Sequence, residues 1–464
     1  MDEHHTRSAT ELAKAIRNKT VSVRAVVTAF LDQIEKFNTD YNAIVSLRPR
    51  AEILAEADQC DRAPKSGALF GLPIAIKDLA QTKGLRTTFG SPIYKDFVPD
   101  EDDLHVARIR AAGAIIIGKT NVPEWGFGSQ TYNPVFGATR NAYDRNLTAG
   151  GSSGGAAVAL ALNMVPIADG SDMGGSLRNP AAFNNIYGFR PSQGLVPAYP
   201  SSDMFMTQMA TEGPMGRTVA DVALLLSVQA GRDVRVPLSL AGDGSEFAGE
   251  ILPDAKGKRV AWLGDLDGAL PMEPGVLQIC QNGLKGLEAA GAEVEAMVPQ
   301  FDYERLWQAF KVLRQFSAGG GMIAHYNTPA ERALLKPEAI WEIEQSLKLS
   351  ALDVYRAAMV RSEWYQCVIK AFEKFDFLAL PSAQVFPFPV EQHWPKIING
   401  VAMDSYHRWM QIVSLGTMSG CPIISVPVGF AGNRAMGMQL MGKPQDDLGV
   451  LRLARAYEVI WTHK

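Results

Sequence analysis

The sequence has no strong charge of one sign, no paired cysteines and no long hydrophobic run. Its formal net charge is -4, so it lacks the clustered Lys and Arg by which a chain binds nucleic acid. Its four cysteines, Cys60, Cys280, Cys367 and Cys421, are scattered without CxxC or Cys/His spacing. That excludes a disulfide framework or a zinc site and leaves free buried thiols in a reducing cytoplasm as the expectation. The longest apolar stretch, near Ala156–Ala168, is too short to span a bilayer and is interrupted by Asn163 and Pro166. The N-terminus is polar and has no apolar core of a signal peptide. With 47% hydrophobic and 20% charged residues, the composition is that of an ordinary globular protein.

The texture along the chain is α/β. Residues 1–65 read as helices: Ser8 or Thr10 caps a run with Leu12, Ala15 and Ile16, then Val26, Phe30, Ile34 and Phe37 recur at helical spacing, and a third helix covers Ala51–Ala57. From Leu69 the pattern becomes strand, helix, glycine, strand, with a short buried strand ending at Lys77 and another in AIIIGK. Residues 126–200 are dense in Gly, Ser, Asn and Pro and read as loops, apart from a short helix over Ala156–Leu162. A helix opens near Thr218 and closes at Gly231, 241–257 reads as a surface excursion, and strand texture restarts at Val260–Leu263. Residues 301–375 are mostly helical, DFLALP and CPIISVPVGF read as two late strands, and an amphipathic helix ends the chain. No repeat and no linker divides it, so one large mixed α/β domain is expected.

Two motif matches fail on context. Gly113–Thr120 fits G-x-x-x-x-G-K-[ST], but its middle, Ala-Ile-Ile-Ile, favours a buried strand over a phosphate-cradling loop. Gly151–Gly155 fits G-x-S-x-G around Ser153, but polar loop precedes it where a nucleophile elbow needs an apolar strand. The histidines that follow it, His325, His393, His407 and His463, show no sign of completing a triad.

Three features stand out together: Lys77 at the end of an apolar strand, the loop Thr148–Gly155, and the segment Gly170–Ala181. Singly, a lysine after a strand is usually a solvated charge, and Gly-Ser loops are usually turns. Here two Gly-Gly-Ser elements, ending at Ser152 and Ser176, flank one short helix, and paired glycines allow backbone or ligand to approach closely.

The stretch from about Leu69 to Pro197, with GLPIAIKD, GAIIIGKTNVPEWG, GGSSGGAAVALA and GSDMGGSLRNPAAFNNIYGFRPSQG, resembles the amidase signature family of hydrolases. The resemblance implies a single domain: a mixed, twisted sheet of about eleven strands covered by helices. In it, 1–65 forms N-terminal helices, 69–197 the signature core, and 241–257 and 300–410 peripheral elements of the substrate pocket. It also implies a Ser-Ser-Lys triad of Ser176, Ser152 and Lys77, with a cis peptide before Ser152. The oxyanion hole would be built from the amides of Met173, Gly174, Gly175 and Ser176, and the pocket lined at Gly126 and Gly128. No metal or cofactor is implied.

The physics suits those roles. A serine hydroxyl is a weak nucleophile until a base takes its proton. No histidine lies in the motifs, and the lysine that the resemblance implies as base can serve if burial beside Leu72–Ile76 makes it neutral. Asp172 and Arg178 read as props of the loop rather than substrate contacts. Leu195–Met215 reads as a loop rich in Met and aromatics, suited either to core packing or to adaptable apolar surface. Trp125, Phe127 and Trp394 are further candidates for aromatic walls or core.

The expected activity is therefore hydrolysis of bulky or aryl amides, anilides and carbamates (urethanes) by a cytoplasmic monomer or homodimer, without nucleic-acid or membrane partners. A rival is the amidase subunit of a tRNA-dependent glutamine amidotransferase, whose usual motif reads Gly-Gly-Ser-Ile-Arg-Gln-Pro. This chain has Asn179 in place of that glutamine, and Asn184, Asn185 and Tyr187 also depart from the pattern. A non-catalytic binding protein is the third alternative.

Overall fold

Ser8 opens the first helix, Ala9–Arg17, by a reciprocal cap: its hydroxyl accepts the Glu11 amide and the Glu11 carboxylate accepts the Ser8 amide. The computed structural model describes residues 3–461. The helices Val23–Tyr41 and Arg50–Arg62 follow, the latter longer at its C-terminal end than the apolar spacing predicts. Leu12, Ile16, Val26, Phe30 and Ile34 are all buried, packed in one core with the strands Pro73–Lys77 and Ile115–Thr120 and the helix Gly154–Ala161.

The main sheet has eight strands, in the order Glu293–Ala296, Arg259–Trp262, Phe377–Pro381, Arg434–Gly442, Ile423–Ala431, Tyr187–Arg190, Thr211–Gly216 and Ile167–Asp172. The first three run parallel and the remaining pairings are antiparallel. A separate three-stranded sheet, Ile44–Val45, Ile115–Thr120 and Pro73–Lys77, lies beside the last strand. The eleven strands expected in one sheet are thus split eight and three. At the seam the Lys77 N–H donates to the Asp169 carboxylate at 2.9 Å, so a side chain joins the two sheets where a ladder would have needed a carbonyl.

Three strands of the main sheet arise where the sequence reads as loop: Ile167–Asp172, Tyr187–Arg190 and Thr211–Gly216. Their glycines obscure them and also explain them. Gly170 and Gly213 lie opposite each other across one pairing, and Gly188 pairs in the next with Met215. A Cβ at Gly170 would stand 2.6 Å from Leu177 Cδ2, one at Gly213 would stand 2.8 Å from Leu177 Cδ1, and one at Gly188 would collide with the Leu177 carbonyl. The three glycines hollow a bay into the sheet, and Leu177, fully buried, fills it. That knob seats the residue before it, Ser176. A Gly188→Val protein is expected to lose about 1–3 kcal/mol of stability through overpacking, read as a lower urea midpoint.

A fourth strand, Arg434–Gly442, is also absent from the sequence pattern, because its alternating Met and Gly residues carry no β-branched signal. The rejected motif matches stay rejected. Ile115–Thr120 is a buried strand whose Lys119 amine donates inward to the Ala80 carbonyl and to Thr82 at 2.7 Å. Ser153 has no strand before it. His407 is buried and stacked on Tyr406, and His463 lies outside the described residues.

The expected surface excursion at 241–257 buries Phe247, Ile251 and Ala255. It packs on the Val219–Gln229 helix, through Gly244 against Ser227 and Ala230, and on the C-terminal Asp447–Ile460 helix, through the Asp254 amide to the Arg452 carbonyl. Its apolar side chains thus help seal the core while most of the segment stays at the surface. No helix among the described residues is long and apolar enough to cross a membrane.

Candidate active site

Lys77 ends its strand fully enclosed, with 1% of its surface exposed. Its amine donates to Ser152 Oγ at 2.8 Å, Ser153 Oγ at 2.8 Å and Ser171 Oγ at 2.9 Å. Three hydroxyls and a carbonyl, that of Ser171 at 3.3 Å, therefore surround a nitrogen cut off from water. Burial pushes the Lys77 ammonium down to about 8, against the pull of Glu212, Asp169 and Asp172. A neutral amine is thus accessible near physiological pH.

Ser152 follows a cis peptide bond from Gly151 and is buried. Ser176 is half-buried. Its carbonyl accepts the Ser153 N–H at 3.3 Å, while its hydroxyl has no hydrogen-bond partner among the described residues. The structure thus brings the lysine directly to Ser152 and seats Ser176 beside the 152–153 turn, with no bond joining the two hydroxyls. Ser153 and Ser171 are lysine partners that sequence reasoning missed. Ser171 stood inside the Gly170–Ala181 motif and Ser153 beside Ser152, but the side on which each hydroxyl falls is fixed by the fold.

The loop after Ile167–Asp172 is pinned by its last strand residue. Asp172 accepts the Gly175 amide at 2.9 Å and the Leu177 amide at 3.1 Å, and takes two hydrogen bonds from Arg178, at 2.9 and 3.0 Å. Arg190 donates to the Asp172 carbonyl and lies 3.4 Å from its carboxylate. Burial opposes the charge on Asp172, but Arg178 and Arg190 outweigh it and hold the carboxyl well below the usual range. Arg178 continues to the Val413 carbonyl, Gln439 and Thr417, tying the loop to the sheet and to the Gln411–Ser419 helix. An Arg178→Met protein leaves a buried carboxylate half-compensated. It is expected to lose about 3–5 kcal/mol, seen as a lower denaturant midpoint.

This anchoring corrects one expectation. The Gly175 amide is committed to Asp172, so it does not face the space in front of Ser176. The amides of Met173, Gly174 and Ser176 have no acceptor among the described residues and remain open to a ligand oxygen. Gly175 has φ +97°, a left-handed conformation that redirects the chain after it, and Asp172 holds the amides on either side, those of Gly175 and Leu177.

Around this loop the walls are apolar. A Cβ at Gly174 would meet Phe310 at 3.3 Å, one at Gly126 would lie 3.6 Å from Ser152 Oγ, and one at Gly128 would face Tyr406 at 3.8 Å. Gly126 therefore lies directly beside Ser152, with Leu79 Cδ1 3.0 Å from where a Cβ would stand. Phe127 packs with Tyr406 and Met322 in a small separate core. Arg314, at the end of the Tyr303–Arg314 helix, bonds Glu342 at 2.7 Å and Tyr406 at 2.9 Å and touches the Met173 sulfur at 3.2 Å. Trp125 stacks on Phe89 with centroids 5.0 Å apart, and Trp394 carries Lys396 over its ring. Phe310, Arg314 and Tyr406 carry no local sequence signal; long-range packing delivers them. No group of three or more His, Cys, Asp and Glu side chains among the described residues is arranged to hold a metal.

The family model described as Amidase matches residues 25–451. The chain belongs to the amidase signature family. An acylamidase of Rhodococcus erythropolis is 32% identical over 470 residues, which cover 99% of this chain and 97% of that protein. A glutamyl-tRNA(Gln) amidotransferase subunit from Chromohalobacter salexigens is 31% identical, covering 98% of this chain and 96% of that protein. Among solved structures, a bacterial aryl acylamidase of the amidase signature family superposes with a TM-score of 0.90 at 29% identity, covering 98% of this chain and 96% of the other. As an amidase signature hydrolase, the protein acts on carbon–nitrogen bonds.

Proposed function

We propose that the protein is a serine hydrolase of small-molecule amides in which Ser176 is the nucleophile, Ser152 the proton relay and Lys77 the base. The observation that carries this reading is the enclosed Lys77 amine, 2.8 Å from Ser152 Oγ, in a site with no histidine among its hydrogen-bond partners. Neutral Lys77 takes a proton through Ser152 from Ser176. The freed Ser176 oxygen attacks the substrate carbonyl, and the amides of Met173, Gly174 and Ser176 receive the developing negative charge, each worth about 3 kcal/mol. Ser152 returns the proton to the leaving nitrogen, whose bond to carbon then breaks. Water, deprotonated by the same relay, hydrolyses the acyl-enzyme. A carbamate attacked in this way gives an alkoxycarbonyl-enzyme, which decays to alcohol and carbon dioxide.

The substrates proposed are bulky or aryl amides, anilides and carbamates. The side-chain-free positions Gly126 and Gly128, beside Ser152 and Tyr406, and the apolar walls at Phe310 and Met173 support them, as do the acylamidase relatives. Within 300–410, the helix bearing Phe310 and Arg314 is the pocket element. The protein would work in the cytoplasm as a monomer or homodimer without a cofactor; its four unpaired thiols fit a reducing compartment.

The second reading, part of a glutamine-dependent amidotransferase, is favoured by relatives of that name at 31–33% identity. The purified chain alone, offered a chromogenic anilide, an aryl carbamate and glutamine, separates the two. Turnover of the anilide with glutamine ignored supports the proposal; turnover of glutamine alone overturns it.

A further inference from the structure

Behind Lys77 lies a second set of charged groups that the proposed chemistry does not use. His105, in the first turn of the Leu104–Ala111 helix, is 2% exposed, and its Nε2 stands 3.4 Å from Asp169 Oδ2. Neither atom has a hydrogen-bond partner among the described residues. The other oxygen of Asp169 holds the Lys77 N–H at 2.9 Å. Glu212 lies opposite Ser171 in the pairing of Ile167–Asp172 with Thr211–Gly216, and residues directly opposite project from the same face. Ser171 Oγ bonds the Lys77 amine at 2.9 Å, so Glu212 lies on the amine's side of the sheet. Two carboxylates and one imidazole thus converge on the lysine from two strands and a helix.

We infer that His105 and Glu212 are positioning residues of opposite sign that, with Asp169 between them, set how readily Lys77 releases its proton. This rests on Lys77 being the base. An imidazolium at 105 compensates the carboxylates; without it they hold the ammonium form of Lys77. Loss of the Glu212 charge does the reverse. The neighbours agree in direction. Burial opposes a charge on His105, but Asp169, Glu212 and Asp103 outweigh it and raise the imidazole. Burial pushes Glu212 up to about 6, while His105 and Lys77 draw it down and Asp169 and Asp103 add to the rise. The other charges facing this cluster already have partners: Asp172 is paired with Arg178 and Arg190, Asp103 accepts the Gln81 amide, and Lys119 on the adjacent strand bonds Ala80 and Thr82, with Asp78, Asp169, Asp103 and Asp102 as the anions acting on it.

The test is the pH dependence of kcat/KM for a chromogenic anilide, measured on the full chain. His105→Asn is expected to move the midpoint of the rising limb up by about one pH unit and Glu212→Gln to move it down by about as much. The double variant is expected to return toward the wild-type midpoint, with KM on the plateau little changed. A purely structural role would lower the plateau in both variants and leave the midpoint in place, and that result, or displacement of both in one direction, overturns the inference. Should Lys77→Met keep the wild-type limb, the lysine-base reading itself fails. NMR titration of the lysine ε-carbons, with Lys77 assigned by the signal lost in Lys77→Met, reads the amine without turnover. The same opposite displacements are expected there, and their absence also overturns the inference.

Discussion

Ser176→Ala is expected to reduce anilide hydrolysis to background, a loss of about 10⁴-fold or more in kcat, with the thermal midpoint unchanged. The size follows from the nucleophile's place in the proposed reaction. Without the Ser176 oxygen no acyl-enzyme can form, and the Met173, Gly174 and Ser176 amides retain only the residual acceleration that oxyanion contacts and binding supply. The fold is expected to persist because Ser176 contributes no side-chain hydrogen bond; the loop is held by Asp172, Arg178 and the Leu177 knob. Covalent labelling by a fluorophosphonate checks the same atom independently: the wild type is labelled once and the variant not at all. A variant that stays active, or one that is still labelled, places the nucleophile elsewhere.

Lys77→Met carries the second large effect. Removing the amine leaves Ser152, Ser153 and Ser171 without a base, and a loss of about 10³-fold or more in kcat/KM is expected at pH 8. The wild-type profile carries the same information. The working form is the neutral amine, so kcat/KM is expected to climb as pH rises through about 8, the value to which burial lowers this ammonium. Below it the protonated lysine cannot accept from Ser152, and activity falls. The variant loses this limb altogether. Ser153→Ala is the sharpest contrast: its hydroxyl is as close to the amine as that of Ser152, 2.8 Å in each case, yet it forms no part of the proposed relay. A loss of under about tenfold is expected there. Equal losses in Lys77→Met and Ser153→Ala would remove the distinction between relay and prop.

The two serines and the lysine proposed for the chemistry stood out because each sits in a local pattern, an apolar strand or a glycine-serine loop. Legibility stopped where a pattern had a second explanation. Gly170, Gly188 and Gly213 read as loop residues, since glycine weakens a strand wherever it stands alone. Across adjacent strands they instead form the bay for Leu177. Likewise Gly175 read as an oxyanion donor because its neighbours do, but its amide is taken by the Asp172 carboxylate.

By itself the sequence determined the α/β texture, the family, the lysine and serines proposed for the chemistry, and the failure of the P-loop and elbow matches. All of these are properties of short stretches, set by side-chain period, turn residues and steric fit. Only the tertiary structure decided that Lys77 meets Ser152 across 75 residues of chain, that Ser153 and Ser171 share its amine, that Asp172 withdraws one amide from the site, and that His105 and Glu212 face the same lysine. Those meetings depend on strand order and on burial, and burial is what lowers the Lys77 ammonium: it removes the water that would keep the proton there.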